Sequence, residues 1–196
     1  MIYLNLGCYD KPFPKPFINV DIRESEDCHP DVVDNAFTLS KFENESVQLI
    51  YSSHMLEHLN FSDGRKALER WYEVLQPGGE LRLAVPDMEA CFAHYFYWKD
   101  IKLLHSMLWG SQRGHDYDYH LSGYTKESLT EVLMGSGFID IKPWNYWDTY
   151  PNQFIDDYAK SCHPSMMYKQ KKARGGVVDF GAKDLSLNLC GFKPNV

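Results

Sequence analysis

Seven short apolar runs, each closed by a small, polar or acidic residue, constrain what this chain can fold into. Ile2 to Leu6 stops at Gly7, and Phe17 to Val20 closes on Asp21. A weak run over Asp31 to Val33 is followed by Asp34 and Asn35. Val47 to Tyr51 runs into Ser52-Ser53-His54, and Leu81 to Val85 is broken by Pro86 and Asp87. Phe138 to Ile141 and Leu185 to Phe192 complete the series. Runs of this length bounded by turn residues read as buried strands. Between the fourth and fifth, Ala67, Leu68, Trp71, Val74 and Leu75 repeat on one helical face, so a helix is expected from a Ser62 cap to Leu75, stopped by Pro77-Gly78-Gly79. A second helix is expected over Met88 to Trp109, ended by Gly110. A third starts at Thr125, where Ser128 in place of Glu predicts no capping box, and ends at Gly135 and Gly137. Strands alternating with helices predict an α/β fold, a doubly wound parallel sheet with helices on both faces. Ligands of such sheets bind beyond the carboxyl ends of the strands, where strand order reverses, so the strand-end residues are the ones to interrogate.

Length and charge narrow the classes. The 196 residues fit a single domain. The formal charge of −7 argues against a nucleic-acid partner. No apolar run approaches about 18 residues, so no membrane span is expected, and Met1 to Asn5 does not read as a signal peptide. Five widely spaced cysteines, an odd number without Cys-x-x-Cys, point to a reducing, cytoplasmic setting. A stretch at about 144–183, lysine-rich in its second half, reads as a loop or cap inserted before the last strand; a solvated charge run or contact with an anionic substrate both explain its charge. Self-association into a homo-oligomer stays open.

The first connection is unusual. Only Gly7 to Pro16 separate the first two strands, with prolines at 12, 14 and 16, so the helix that normally follows the first strand is expected to be missing. A phosphate site, which wants a helix N-terminus there, is disfavoured. Asp21 can accept two hydrogen bonds from a ribose diol, or cap its strand. Gly7 admits close approach of a ligand, or simply turns. Asp34 and Asn35 can bond an adenine amino group, or form an Asx-turn. His54 and His58 stand four apart without a His-Glu-x-x-His order, so no metal is expected, and His58 reads as a core or capping residue. His115-Asp116-Tyr117-Asp118-Tyr119-His120 is dense in titratable groups. His120, then His115, with His54 as rival, are candidates for a general base; a polar turn and a metal site are the alternatives.

Leu4-Asn5-Leu6-Gly7-Cys8, Ile18-Asn19-Val20-Asp21-Ile22, Ile50-Tyr51-Ser52-Ser53-His54-Met55-Leu56-Glu57-His58-Leu59 and Val74-Leu75-Gln76-Pro77-Gly78-Gly79-Glu80 through Asp87 together resemble class I S-adenosylmethionine-dependent methyltransferases, in particular a group of short bacterial ones. The resemblance implies a Rossmann-like seven-stranded sheet with its last strand antiparallel, S-adenosyl-L-methionine as cofactor, and a small-molecule or glycan acceptor. It would place Asn5 and Gly7, with Cys8 and Tyr9, at the methionine part of the cofactor. Asp21, with Ile22, would meet the ribose, and Asp34, Asn35 and Ala36 the adenine. Ser52, Ser53 and His54 would line the wall near the sulfonium. Tyr9 stands where the family usually has glycine, and Asn35 where it often has Asp. A non-catalytic binding or interaction module on the same fold is the second function class.

Overall fold

The computed structural model describes residues 1–145 and 185–195, apart from Arg113 and His115. The strands are β1 (Tyr3–Leu6), β2 (Phe17–Asp21), β3 (Val32–Val33), β4 (Val47–Ser53), β5 (Leu75–Pro86), β6 (Ile139–Pro143) and β7 (Ser186–Phe192). The helices are α1 (Phe61–Val74), α2 (Met88–Trp98), α3 (His105–Trp109) and α4 (Lys126–Gly135). The strands form one sheet in the order β3-β2-β1-β4-β5-β7-β6. Pairings from β3 through β5 are parallel, and β7 runs antiparallel to both β5 and β6. The order reverses between β1 and β4, which puts the switch point at Leu6 and Ser52, register partners there.

β1 is buried along its whole length, as expected of a strand covered on both sides. Leu4, Leu6, Val20 and Ile50 join the main core with Leu68, Trp71 and Val74 of α1 and Leu129 and Leu133 of α4. Tyr3, Phe17, Leu49 and Tyr51 point the other way. There the missing helix is replaced by its connection. Phe13 folds back among these aromatics, 4.9 Å from the Tyr51 ring, and Trp144 packs on Tyr51 at 5.5 Å. Two amides hold the connection. Asn19 Oδ1 accepts from the Phe13 N–H and from Asn5 Nδ2, while Asn19 Nδ2 donates to the Phe13 carbonyl at 2.9 Å.

Several local expectations need correcting. The α1 cap is Asn60, whose side chain accepts from the Asp63 N–H, not Ser62. Pro77-Gly78-Gly79 lies inside β5, where the register breaks between Val47–Leu75 and Leu49–Glu80. The stretch from Met88 to Trp109 is not one helix. Lys99 turns left-handed at φ 52° and ends α2, and a 3₁₀ turn over Ile101–Leu104 leads into α3. α4 does carry a capping box, because the Ser128 hydroxyl reaches back to the Thr125 N–H at 2.9 Å and does the work of the usual Glu. Of the inserted stretch, Trp144 and Asn145 are described; residues 146–184 lie outside the described residues.

Candidate functional site

A cavity of about 730 Å³ opens at the carboxyl ends of β1, β2 and β4. That volume suits a ligand of drug or cofactor size. Asn5, Gly7, Cys8, Tyr9, Asp21, Ile22, Asn35, Ala36, Ser53, His54 and His120 all line it, so residues far apart in sequence share one wall. Asp34 and Ser52 do not line it. The Asp34 carboxylate is consumed locally by the Asn35 and Lys41 N–H groups and the Ser40 hydroxyl. Ser52 is buried one strand position inside the rim. His115 lies outside the described residues.

Asp21 closes β2 almost wholly buried. Each carboxylate oxygen accepts one backbone N–H, Oδ2 from Tyr9 and Oδ1 from Arg23, both at 3.0 Å. A carboxylate has about four lone-pair sites, so two remain for hydroxyl donors. Asn35 forms the Asx-turn, accepting from the Phe37 N–H at 2.9 Å, and no described residue engages its Nδ2. The Asn5 amide is committed to the β1–β2 connection through Asn19 and the Lys11 carbonyl. Gly7 sits at a left-handed φ of +69°, and a Cβ there would meet Met55 Cγ at 2.6 Å. Tyr9 also sits left-handed, at φ 38°, in the place where glycine was expected. Its ring takes the Arg23 guanidinium at 5.0 Å, and Arg23 also reaches the Tyr117 ring at 5.8 Å, so the two loops are linked across the cavity mouth. Burial pushes the Cys8 thiol up to about 12, with the Asp21 charge adding to it, so Cys8 is a protonated thiol.

The far wall carries a polar cluster that sequence reasoning saw only in pieces. Glu57 is wholly buried in a 3₁₀ turn, Leu56–His58, just after β4. His54 Nδ1 stands 3.2 Å and His120 Nε2 3.8 Å from Glu57 Oε1, yet neither carboxylate oxygen has a hydrogen bond of good geometry. The His58 and His120 rings meet edge to face at 4.8 Å. Burial alone would raise the Glu57 pKa; the adjacent His54, then the charges of His58 and His120, outweigh it and hold the carboxyl below its ordinary range. For His120, burial dominates and lowers its pKa, against the pull of Glu57. His54, His58 and His120 all face the cavity. His54 and His120 were legible as candidates. Glu57 was not, since nothing in its sequence context shows complete burial.

Residues 16–83 match the profile of a methyltransferase domain family. No curated protein matches the sequence. Among solved structures, the chain is similar to a S-adenosylmethionine-dependent methyltransferase from Archaeoglobus fulgidus, with TM-score 0.59 and 16% identity over 98% of this chain and 86% of that one. It is similar to a methyltransferase of Thermotoga maritima described as a possible histamine N-methyltransferase, with TM-score 0.56 and 14% identity over 97% and 81%. A third likeness is to phosphoethanolamine N-methyltransferase 2 of Haemonchus contortus in complex with S-adenosyl-L-methionine, with TM-score 0.51 and 16% identity over 98% of this chain but 48% of that one. At such identities the likeness is one of fold. The fold is thus shared with S-adenosylmethionine-dependent methyltransferases, and the methyltransferase-domain profile matches residues 16–83 of the chain.

Proposed function

We propose that this chain is a working S-adenosylmethionine-dependent methyltransferase that moves a methyl group to an oxygen or nitrogen of a small molecule or glycan. The observation that carries this reading is the cavity at the switch point, lined by the buried Asp21 carboxylate between two backbone donors. The residues fit an adenosyl nucleoside. Asp21 keeps acceptor sites for a ribose diol, Asn35 Nδ2 is a spare donor for the base, and Ser53 Oγ is a buried wall atom without a hydrogen-bond partner. Ala36 sits beside Asn35 with its carbonyl tied to the Trp71 indole at 2.7 Å, so the adenine end rests on the core. Ile22, Gly7, Cys8 and Tyr9 complete that side.

The bound cofactor supplies an already activated methyl group on a sulfonium. The chain's part is to hold an acceptor in line with the carbon–sulfur bond and to exclude water. A neutral acceptor must also lose a proton. His120 is placed for that: its Nδ1–H donates to the Met107 carbonyl at 3.0 Å, which leaves Nε2 as the lone pair at the cavity wall. His54 and His115 are the alternative bases. We read residues 1–196 as one methyltransferase-like domain with a loop or cap insertion at about 144–183. Among the described residues no helix is long and apolar enough to cross a membrane. The four described cysteines are free thiols, which supports a cytoplasmic setting.

Calorimetric titration with S-adenosylmethionine and S-adenosylhomocysteine tests the cofactor, with saturable one-site binding expected. Transfer of labelled methyl to a panel of small hydroxyls, amines and glycans tests the activity. His120→Ala should lower turnover and leave cofactor affinity unchanged. Absence of binding by the wild type would overturn the reading at its root.

A further inference from the structure

The cluster behind the cavity's far wall is rich in acceptors and poor in donors. His58 donates its Nδ1–H to the Tyr119 carbonyl and His120 its Nδ1–H to the Met107 carbonyl, both at 3.0 Å. A carbonyl cannot donate, so in the neutral form of either ring Nε2 is the lone pair. The third ring follows the same logic. The Ser186 hydroxyl gives its proton to Asn188 Oδ1 at 3.0 Å, so its contact with His54 Nε2 at 3.1 Å takes the proton from the ring. In the neutral ring that turns the His54 Nδ1 lone pair toward Glu57 Oε1 at 3.2 Å; in the protonated ring it is an N–H. With the rings neutral, three imidazole lone pairs stand around a wholly buried carboxylate that accepts no well-formed hydrogen bond. Buried polar atoms are satisfied in native proteins, and an unpaired carboxylate is among the most expensive to leave bare. Something positive belongs among them.

We propose that Glu57, His58 and His120 bind a divalent first-row transition ion. The donor atoms of Glu57, His58 and His120 already lie within 4.8 Å of one another. Imidazole and carboxylate bonds to such ions are about 2.0–2.2 Å, so two donors across one ion stand at most about 4.2 Å apart. The Glu57–His120 pair, at 3.8 Å, is inside that limit. The widest pair needs to close by about 0.6 Å at most. Two imidazoles and one carboxylate select ions of the zinc, iron or cobalt kind over magnesium or calcium. The Nδ1–H to carbonyl bonds are the outer contacts that metal-binding histidines use to aim Nε2.

The site is open on one side. His54, His58 and His120 face the cavity while Glu57 lies behind them, so the remaining coordination positions point where an acceptor would sit. An oxygen or nitrogen ligated there is held in place and made more acidic, the task otherwise assigned to the His120 lone pair. This role rests on the methyltransferase reading. Binding of the ion does not, and it is measured without cofactor.

The test uses the full chain stripped with a chelator and titrated with Zn²⁺ by calorimetry and Co²⁺ by visible absorption. One saturable site is expected, with bands of nitrogen and oxygen ligation and no intense thiolate charge transfer. Glu57→Gln, which keeps the side-chain shape, should weaken binding at least tenfold, and so should His58→Ala and His120→Ala; circular dichroism identifies any variant that does not fold. Cys28→Ser should bind as the wild type does. Three outcomes overturn the proposal: no saturable binding by the wild type at millimolar ion, unchanged binding in the folded variants, or loss of binding with Cys28→Ser. Because no S-adenosylmethionine is present, failure here leaves the cofactor reading standing.

Discussion

Asp21→Asn is the most informative single change. The carboxylate holds two backbone N–H groups, from Tyr9 and Arg23, at 3.0 Å each, and keeps one lone pair per oxygen toward the cavity. Asn replaces one oxygen by NH₂, which cannot accept from a ribose hydroxyl and cannot accept from the loop either. At least one charge-assisted hydrogen bond to the nucleoside is lost, worth about 1.5–3 kcal/mol. That is roughly a 10- to 150-fold loss of affinity. The loop effect is separable. A broken Tyr9 or Arg23 contact lowers the thermal midpoint of the free protein, whereas the ribose contact changes only the calorimetric dissociation constant for S-adenosylhomocysteine. Asp21→Ala should lose more, since both acceptors go. If Asp21→Asn is folded and binds within twofold of the wild type, the sugar does not lie against β2, and the orientation of the nucleoside across the strand ends is wrong.

Other outcomes follow from contacts described above. Asn19→Ala strands the Phe13 N–H and carbonyl together, so urea unfolding should show a loss of about 2–4 kcal/mol; an unchanged midpoint would mean the connection is held some other way. Gly7→Ala places a Cβ 2.6 Å from Met55 Cγ at a left-handed φ, and should cost about 1–3 kcal/mol, partly recovered in Gly7→Ala/Met55→Ala; no recovery would assign the cost to the backbone alone. The Asp31 carboxyl is held below its ordinary range, first by the Asn19 N–H and then, against the opposing effect of burial, by Lys15 and the Asn19 amide. A lowered folded pKa contributes stability above the unfolded value near 4 and loses it as pH falls through the folded one. Asp31→Asn should therefore narrow the acid-side loss of stability, by under about 1 kcal/mol because the side chain is 36% exposed; equal acid curves for the two proteins would refute it.

How much of this was legible in sequence varies with the range of the interaction. β1, β2, β4 and β5 are visible because each is a bounded apolar run, and the helixless first connection is visible because proline excludes a helix. The break after α2 is not, since it rests on Lys99 adopting a left-handed conformation with no glycine to announce it. The capping box was missed because a serine hydroxyl, shorter than Glu, still reaches the Thr125 N–H when the turn is tight. At the site, Asp21, Asn35, Ala36, His54 and His120 could be named from strand ends and local density, and one cavity collects them. Asp34 could not be separated from Asn35 until its carboxylate was seen satisfied by its own loop. The decisive pairing of the far wall, His120 against Glu57, joins segments that sequence gives no reason to connect.

The first crossover replaces hydrogen bonds that almost any helical sequence makes with ones that depend on particular side chains, Asn5, Asn19 and Asp21. Both backbone groups of Phe13 are gripped by a single side chain on the very next strand, so the segment has a fixed length as well as a fixed shape. One residue added or removed between Gly7 and Pro16 would lift Phe13 off Tyr51, itself part of the cavity wall. Grafting a relative's helical crossover into this chain would therefore have to rewrite the strand as well as the loop.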